Sequence, residues 1–260
     1  MSQPFAAGTS STNGPKIIFF GDPHGQFDYV IRSVQRHAPA AIVLLGDLQS
    51  RRPLHIELKP ILGLTEVWFI HGNHDTDSEA DHDNLFGSDL ADRNLHGRIA
   101  KIAGFRVAGL GGVFRETIWA PPLKPAFTSA ADRLRVVRPS ERWRGGLPLR
   151  HRSSIFPDVY QRLSRRGADI LVTHEGLGGH PHGWKALDDL AAFLHVQVVV
   201  HGHLHQTIDY IADGRLDPAA GYQAFGVAPG HSLTWPGLAR PDCEPSVGVE
   251  VDPCVGDSRV

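Results

Sequence analysis

A chain of 260 residues that is 41% hydrophobic and 21% charged has apolar surface enough for one large domain, or at most two small ones. A net charge of -2 does not point to a generic nucleic-acid binder, although a local basic patch fits inside a near-neutral total. No apolar run approaches the ~20 residues of a membrane span, and no basic segment leads into an apolar one at the N-terminus, so a cytoplasmic protein without a membrane partner is expected. The two cysteines, Cys243 and Cys254, stand near the end of the chain, away from the apolar runs, and read as free thiols.

Residues 1–15, rich in Ser, Thr, Gly, Ala and Pro without periodicity, read as a mobile arm. A first strand, Lys16 to Phe20, is followed by Phe27, Val30, Ile31 and Val34 at helical spacing, with Ala38-Pro39 as the stop. A second strand, Ala41 to Leu45, completes a βαβ unit whose crossover should be right-handed. A helix around His55 to Leu62, interrupted by Pro60, leads to a third strand, Val67 to Ile70. Residues 84–93 read as a short polar helix, and Ile99–Ile102 and Arg106–Leu110 flank Ala103-Gly104 as a hairpin ending at Gly111-Gly112. Residues 115–155 are irregular, with several prolines and an arginine-rich run. Phe156 to Arg166 reads as a helix with Pro157 in its first turn, feeding the strand Asp169 to Thr173. A helix from Trp184 to His195 carries Leu187, Leu190, Ala191 and Leu194 on one face, and the strand Gln197 to Val200 follows. Two last strands fall in Thr207–Ile211 and Tyr222–Val227. The expected domain spans residues 16–235 with 115–155 as an insertion, and residues 236–260 read as a loosely held tail.

Five of these apolar runs end alike. Phe20 leads into Gly21-Asp22-Pro23-His24-Gly25, Leu45 into Gly46-Asp47, and Ile70 into His71-Gly72-Asn73-His74-Asp75. Thr173 leads into His174, and Val200 into His201-Gly202-His203-Leu204-His205. The carboxyl ends of strands are where open α/β sheets bind ligands. Asp22, His24, Asp47, Asn73, His174, His203 and His205 offer oxygen and imidazole donors without a thiolate, the mixture that suits a pair of divalent ions. A lone Asp-x-His is common by chance; five such motifs in register with five strands are not.

In this order the motifs, covering residues 21–205, resemble those of the calcineurin-like metallophosphoesterases. The resemblance implies an α/β fold of two packed mixed β-sheets flanked by helices. It implies that Asp22, His24 and His205 hold one metal, that Asn73, His174 and His203 hold the other, and that Asp47 bridges them. His74 would stand beside the reacting phosphate, stabilising it or protonating the leaving oxygen. Two ions, Mn first and Fe, Ni, Co or Zn as alternatives, would activate a bridging water for in-line attack on phosphorus, with no phosphoenzyme.

The first motif continues as Gly25-Gln26-Phe27, as in the serine/threonine phosphoprotein phosphatases. The second departs from their Gly-Asp-x-x-Asp-Arg-Gly, reading Gly46-Asp47-Leu48-Gln49-Ser50-Arg51-Arg52. Ser50 replaces the Asp that orients the catalytic His, so either another group such as Asp75 or Asp77 orients His74 or acid catalysis is weaker, while Arg51 keeps the position from which to hold a phosphate oxygen. The expected function is hydrolysis of a phosphomonoester on a phosphorylated small molecule or phosphoprotein, with His74, Asp47 and Arg51 as catalytic residues. The alternatives are a phosphodiesterase or nuclease on the same metal centre, and a binding protein that keeps the metals without turnover.

The run Arg133, Arg135, Arg138, Arg142, Arg144, Arg150 and Arg152, with Trp143 among them, reads either as a flap that recruits a polyanion such as nucleic acid or as a solvated insertion. His180 and His182 are loop residues near the substrate or on the surface; His71 and His201 read as supports for the ligands rather than ligands. Arg115 after the Gly-Gly turn reads as turn geometry before phosphate contact, and the acidic run from Asp75 to Asp83 as a solvated helix start.

Overall fold

The computed structural model describes residues 16–237 and the segment Asp242–Cys243. The expected arm and most of the expected tail lie outside the described residues. β1 (Ile17–Phe20), β2 (Ala41–Leu44) and β3 (Glu66–Phe69) are parallel neighbours, joined in antiparallel fashion by β10 (His231–Trp235) and then β11 (Asp242–Cys243). That sheet has the order β11-β10-β1-β2-β3. A second sheet has a parallel centre of β5 (Phe105–Leu110), β6 (Ile170–Thr173), β7 (Val198–His201) and β9 (Gln223–Gly226). It is edged by antiparallel β4 (Arg98–Ile102) and β8 (Ile208–Asp209). The two sheets are mixed and flanked by helices.

Strand alternation builds three layers of core. Ile17, Phe19 and Val43 point between the sheets, where they meet Val107, Ile170, Val172, Val198 and Val200 of the second sheet. Ile18, Phe20, Ile42 and Leu44 point the other way and are covered by α1 (Asp28–His37), α2 (Leu54–Glu57) and α3 (Glu79–Phe86) through Val30, Val34, Leu54 and Leu85. On the far face of the second sheet, Ala108, Leu171 and Val199 pack under α5 (Pro157–Ser164) and α6 (Lys185–Leu194). The helix face Leu187, Leu190, Ala191 and Leu194 is buried there as its spacing predicts. β1, β2, β6 and β7 are buried on both sides, which explains their unbroken apolar character.

Three elements differ from the sequence-based expectation. The helix expected at residues 84–93 begins at Glu79, because Ser78 accepts the Asp81 N–H while the Asp81 carboxylate accepts the Ser78 N–H, a reciprocal cap. Glu79 and Asp81 therefore fill its first turn, where the helix dipole favours acids. β10 lies beside Pro236 and alternates Ser232, Leu233, Thr234 and Trp235, a half-buried pattern hidden by its closeness to the expected tail. Within the insertion, Ser129 caps α4 (Ala130–Val136), a helix that the surrounding prolines obscure. Val113 N–H bonds to Ser153 O and Ile155 N–H to Val113 O, so the insertion leaves and returns to the fold at one place. Among the described residues no helix is long and apolar enough to cross a membrane.

Opposite faces of α6 give a stability test. Leu190 is fully buried and Phe193 is 57% exposed. In urea unfolding, Leu190→Ala should cost roughly 2–5 kcal/mol, and Phe193→Ala should stay within about 0.5 kcal/mol.

Candidate metal centre

The carboxyl ends of β1, β2 and β3 meet those of β6 and β7 at one edge of the sandwich, and all seven expected ligands come together there. From β1, the turn carries Asp22 and His24; from β2, Asp47; from β3, Asn73 and His74. The second sheet supplies His174 after β6 and His203 and His205 after β7.

The turns that deliver them are strained. Asp22, His24, Asp47, Gln49, His203 and His205 have positive φ values between 25° and 65°. The left-handed region costs an ordinary residue on the order of 1–2 kcal/mol, and such residues gather where function requires a particular side-chain direction. The neighbouring glycines are needed for close approach instead. A Cβ on Gly72 would collide with the Asp47 carboxylate, and one on Gly202 with that of Asp22.

Two groups of three emerge, sharing Asp47. His24, Asp47 and His205 offer ligand atoms within 4.8 Å of one another, and so do Asp47, His174 and His203. His24 Nδ1 meets Gln49 Oε1 at 2.6 Å, which assigns the proton to Nδ1 and leaves Nε2 as a lone pair. That Nε2 faces His205 Nε2 at 3.1 Å. Two metal–nitrogen bonds of about 2.1 Å at near right angles place ligand atoms about 3 Å apart, so the spacing fits one ion. His174 donates Nδ1–H to Leu45 O at 2.8 Å and aims Nε2 at Asn73 Oδ1 (3.1 Å) and Asp47 Oδ2 (3.3 Å). Asp22 lies at the base, outside both groups. Its Oδ2 accepts the His203 N–H at 2.7 Å and lies 3.9 Å from His205 Nε2, while the buried Oδ1, 3.6 Å from His174 Nδ1, has no hydrogen-bond partner among the described residues. A buried carboxylate oxygen without a donor is unusual and fits a place beside a cation.

The electrostatics are those of a site that binds positive charge. Burial opposes ionisation of Asp47, but the adjacent His174 outweighs it and holds the carboxyl well below its ordinary range. His174, against its own burial, is pushed up to about 10 by Asp47 and then Asp22. Burial raises Asp22, against the pull of His174. Burial and the His174 charge push His203 down to about 3, and burial with His24 lowers His205, so both are neutral at pH 7, the form that ligates metals.

His74 stands at the rim, 44% exposed, its Nδ1 2.5 Å from Asp77 Oδ2. Of the two carboxylates expected to orient it, Asp77 does so. Asp75 is buried and accepts the N–H groups of Gly72 and Gln49 instead, tying the second and third motif turns together. Burial lowers His74, but Asp47 and Asp77 outweigh it and its pKa is raised. The Ser50 hydroxyl donates to Arg52 O. Arg51 is exposed and lies along Gly25, its Nε 3.5 Å from where a Cβ there would stand.

His71 and His201 are buried supports: His71 pairs with Asn94, and His201 with Gly202 O and the Tyr210 hydroxyl. His180 is buried and accepts the His182 N–H, whereas His182 is exposed. Sequence reasoning does not reach Gln49, the Leu45 carbonyl or Glu175. Buried Glu175 accepts the Phe114 N–H and lies 3.8 Å from His203 Nε2. For Gln49 and Glu175 the only signal is closeness to a motif; for a carbonyl there is none.

Residues 15–207 match the family model described as calcineurin-like phosphoesterase. The chain belongs to that family. Members of this phosphoesterase family are hydrolases that use divalent metals, and the ligand groups above suit that chemistry. The chain is similar to an uncharacterized protein of Haemophilus influenzae, 42% identical over 194 residues, which cover 75% of this chain and 85% of that one. It also shares its fold with TT1561 of Thermus thermophilus, with a TM-score of 0.53 at 13% identity, covering 85% of this chain and 94% of that one.

The Asp47–His174 pairing is measurable. In metal-stripped protein the His174 imidazole should titrate near pH 10 by NMR, and in Asp47→Asn the midpoint should fall. A wild-type midpoint near the ordinary value for histidine would show that the two side chains are not paired.

Proposed function

We propose that this phosphoesterase is a dinuclear metal enzyme that hydrolyses phosphomonoesters. The observation that carries the reading is the shared carboxylate: Asp47 belongs to both groups of ligand atoms, one with His24 and His205, the other with His174 and His203. In this reading Asp22 completes the first site and Asn73 the second. Divalent ions held there, Mn first and Fe, Ni, Co or Zn as alternatives, supply an activated water and polarise the phosphate oxygens.

The remaining work falls to the chain's own groups. Gln49 and the Leu45 carbonyl fix the rings of His24 and His174, so each presents one chosen nitrogen. With Nδ1 engaged by Asp77, His74 keeps Nε2 as its acid atom, and its raised pKa keeps a proton available for the leaving oxygen. Arg51 provides a fixed positive charge beside the first motif to receive a phosphate oxygen. The monoester preference is supported by the Gly-Asp-Pro-His-Gly-Gln-Phe motif and the near-neutral net charge.

Metal-stripped protein refilled with Mn²⁺ and assayed on p-nitrophenyl phosphate and bis-p-nitrophenyl phosphate tests the reading, which expects the monoester to be strongly preferred. A strong preference for the diester would replace it with a phosphodiesterase. His74→Ala should lower kcat by roughly 10²–10⁴-fold while bound metal is retained. Equal loss of metal and turnover would make His74 a ligand. Asp77→Ala should slow hydrolysis of esters with poor leaving groups, such as phenyl phosphate, much more than p-nitrophenyl phosphate. An equal effect on both would remove Asp77 from proton donation.

A further inference from the structure

The insertion touches the third motif and the helix after it at three places. At its root, Gly112 N–H donates to His71 O at 2.7 Å, and Val113 N–H donates to Ser153 O at 2.8 Å. A Cβ on Gly112 would collide with Ser153 O, so the outgoing and returning chains are in close contact there. The returning turn Leu149–Ser153 then meets the turn His74–Thr76, with Ser153 Oγ 2.8 Å from Thr76 Oγ1. Both hydroxyls are buried. The Ser153 hydroxyl is itself fixed, by Arg150 O at 3.2 Å and by Arg115 Nη2, which donates to it at 3.3 Å.

The third contact is on α3. Arg144 donates in parallel to Asp83, Nη1 to Oδ1 at 2.7 Å and Nη2 to Oδ2 at 2.8 Å, and also reaches Glu79 at 3.2 Å. Its guanidinium lies 4.2 Å from the Trp143 ring centroid, and the His82 ring meets the same indole at 4.6 Å. A lone exposed ion pair contributes little, but a fork onto two acids of one helix, backed by an indole, has a defined geometry. Arg152, at 4.8 Å, also covers Trp143, so the indole offers no stacking platform for a base.

Asp77 stands between the last two contacts, after Thr76 and before Glu79. It is the carboxylate 2.5 Å from His74 Nδ1. The His74 backbone is anchored toward the metal centre, its N–H donating to Asp47 Oδ1 at 2.9 Å. Beyond that anchor comes one turn of helix, closed by Asp77 N–H to His74 O at 3.3 Å. A single turn has little stability of its own. The side chains of His74 and Asp77 are 44% and 54% exposed, so packing does not hold them either. The direction in which His74 presents Nε2 thus depends on what grips the chain on each side of Asp77.

We propose that the insertion is a brace for the His74–Asp77 pair, with Thr76 and Arg144 as positioning residues that act through it. The inference rests on the phosphoesterase reading, in which His74 protonates the leaving oxygen. It assigns Arg144 and Trp143 to the chain's own α3 rather than to a nucleic acid strand.

The test uses the full Mn²⁺-loaded chain, assayed on phenyl phosphate and p-nitrophenyl phosphate with bound metal measured on each sample. Thr76→Val keeps the shape and removes the hydroxyl. It should lower kcat on phenyl phosphate about tenfold, as loss of one hydrogen bond would, and slow p-nitrophenyl phosphate much less. Arg144→Gln should move the ratio of the two rates the same way by about threefold. Thr76→Ser should restore the wild-type ratio, Arg138→Gln should leave it unchanged, and bound Mn²⁺ should be the same throughout. Equal slowing of both esters, metal lost in step with turnover, or a Thr76→Ser as slow as Thr76→Val would overturn the brace. Hydrogen exchange at the amides of residues 74–77 separates the two readings. Faster exchange there in Thr76→Val and Arg144→Gln, in a chain that hydrolyses neither ester, rejects the phosphoesterase reading and keeps the brace. Unchanged exchange in either variant overturns the brace whatever the activity.

Discussion

The buried pairing of Asp47 with His174 is the contact on which the rest of the centre depends. The two side chains come from different sheets, and His174 also donates to the carbonyl of Leu45, at the end of the strand that delivers Asp47. Both are almost wholly removed from water. The imidazolium of His174 holds Asp47 ionised while burial pushes Asp22 up, so two buried carboxyl groups share one cation and a further positive charge at this edge would favour ionisation of both. The sheet edge is therefore built to attract cations before any ligand geometry is considered.

Strain and packing hold that arrangement in place. Six non-glycine residues of the motif turns have positive φ, and glycines stand where ligand carboxylates press against the backbone. The three-layer core beneath these turns is nearly continuous aliphatic and aromatic packing, so the strained ends rest on the most stable part of the molecule. Asp75 does for the turns what Gln49 does for a ring, accepting backbone N–H groups from two motifs at once.

Much of this was legible in the sequence, for physical reasons. Strands buried on both faces write themselves as unbroken apolar runs, and a ligand at the end of each run is visible by adjacency. The position of His174, a lone histidine, became readable only because Thr173 ends such a run. What stayed hidden depends on contacts distant in sequence. Ser78 and Asp81 set the start of α3 through a mutual hydrogen bond, and β10 is defined by its pairing with β1 rather than by its own pattern. The arginine run looks uniform, yet Arg144 pairs with Asp83 while Arg133 and Arg150 form no ion pair among the described residues, a distinction made by the fold of the insertion. The choice between Asp75 and Asp77 as the partner of His74 likewise turned on one short turn of backbone.

The most direct measurement is electron paramagnetic resonance of the Mn²⁺-loaded protein, with metal content determined on the same sample. A centre bridged by Asp47 predicts two ions per chain and the spectrum of an exchange-coupled Mn pair. One ion per chain, or the six-line signal of isolated Mn²⁺ at full loading, would contradict a shared carboxylate and with it the dinuclear centre.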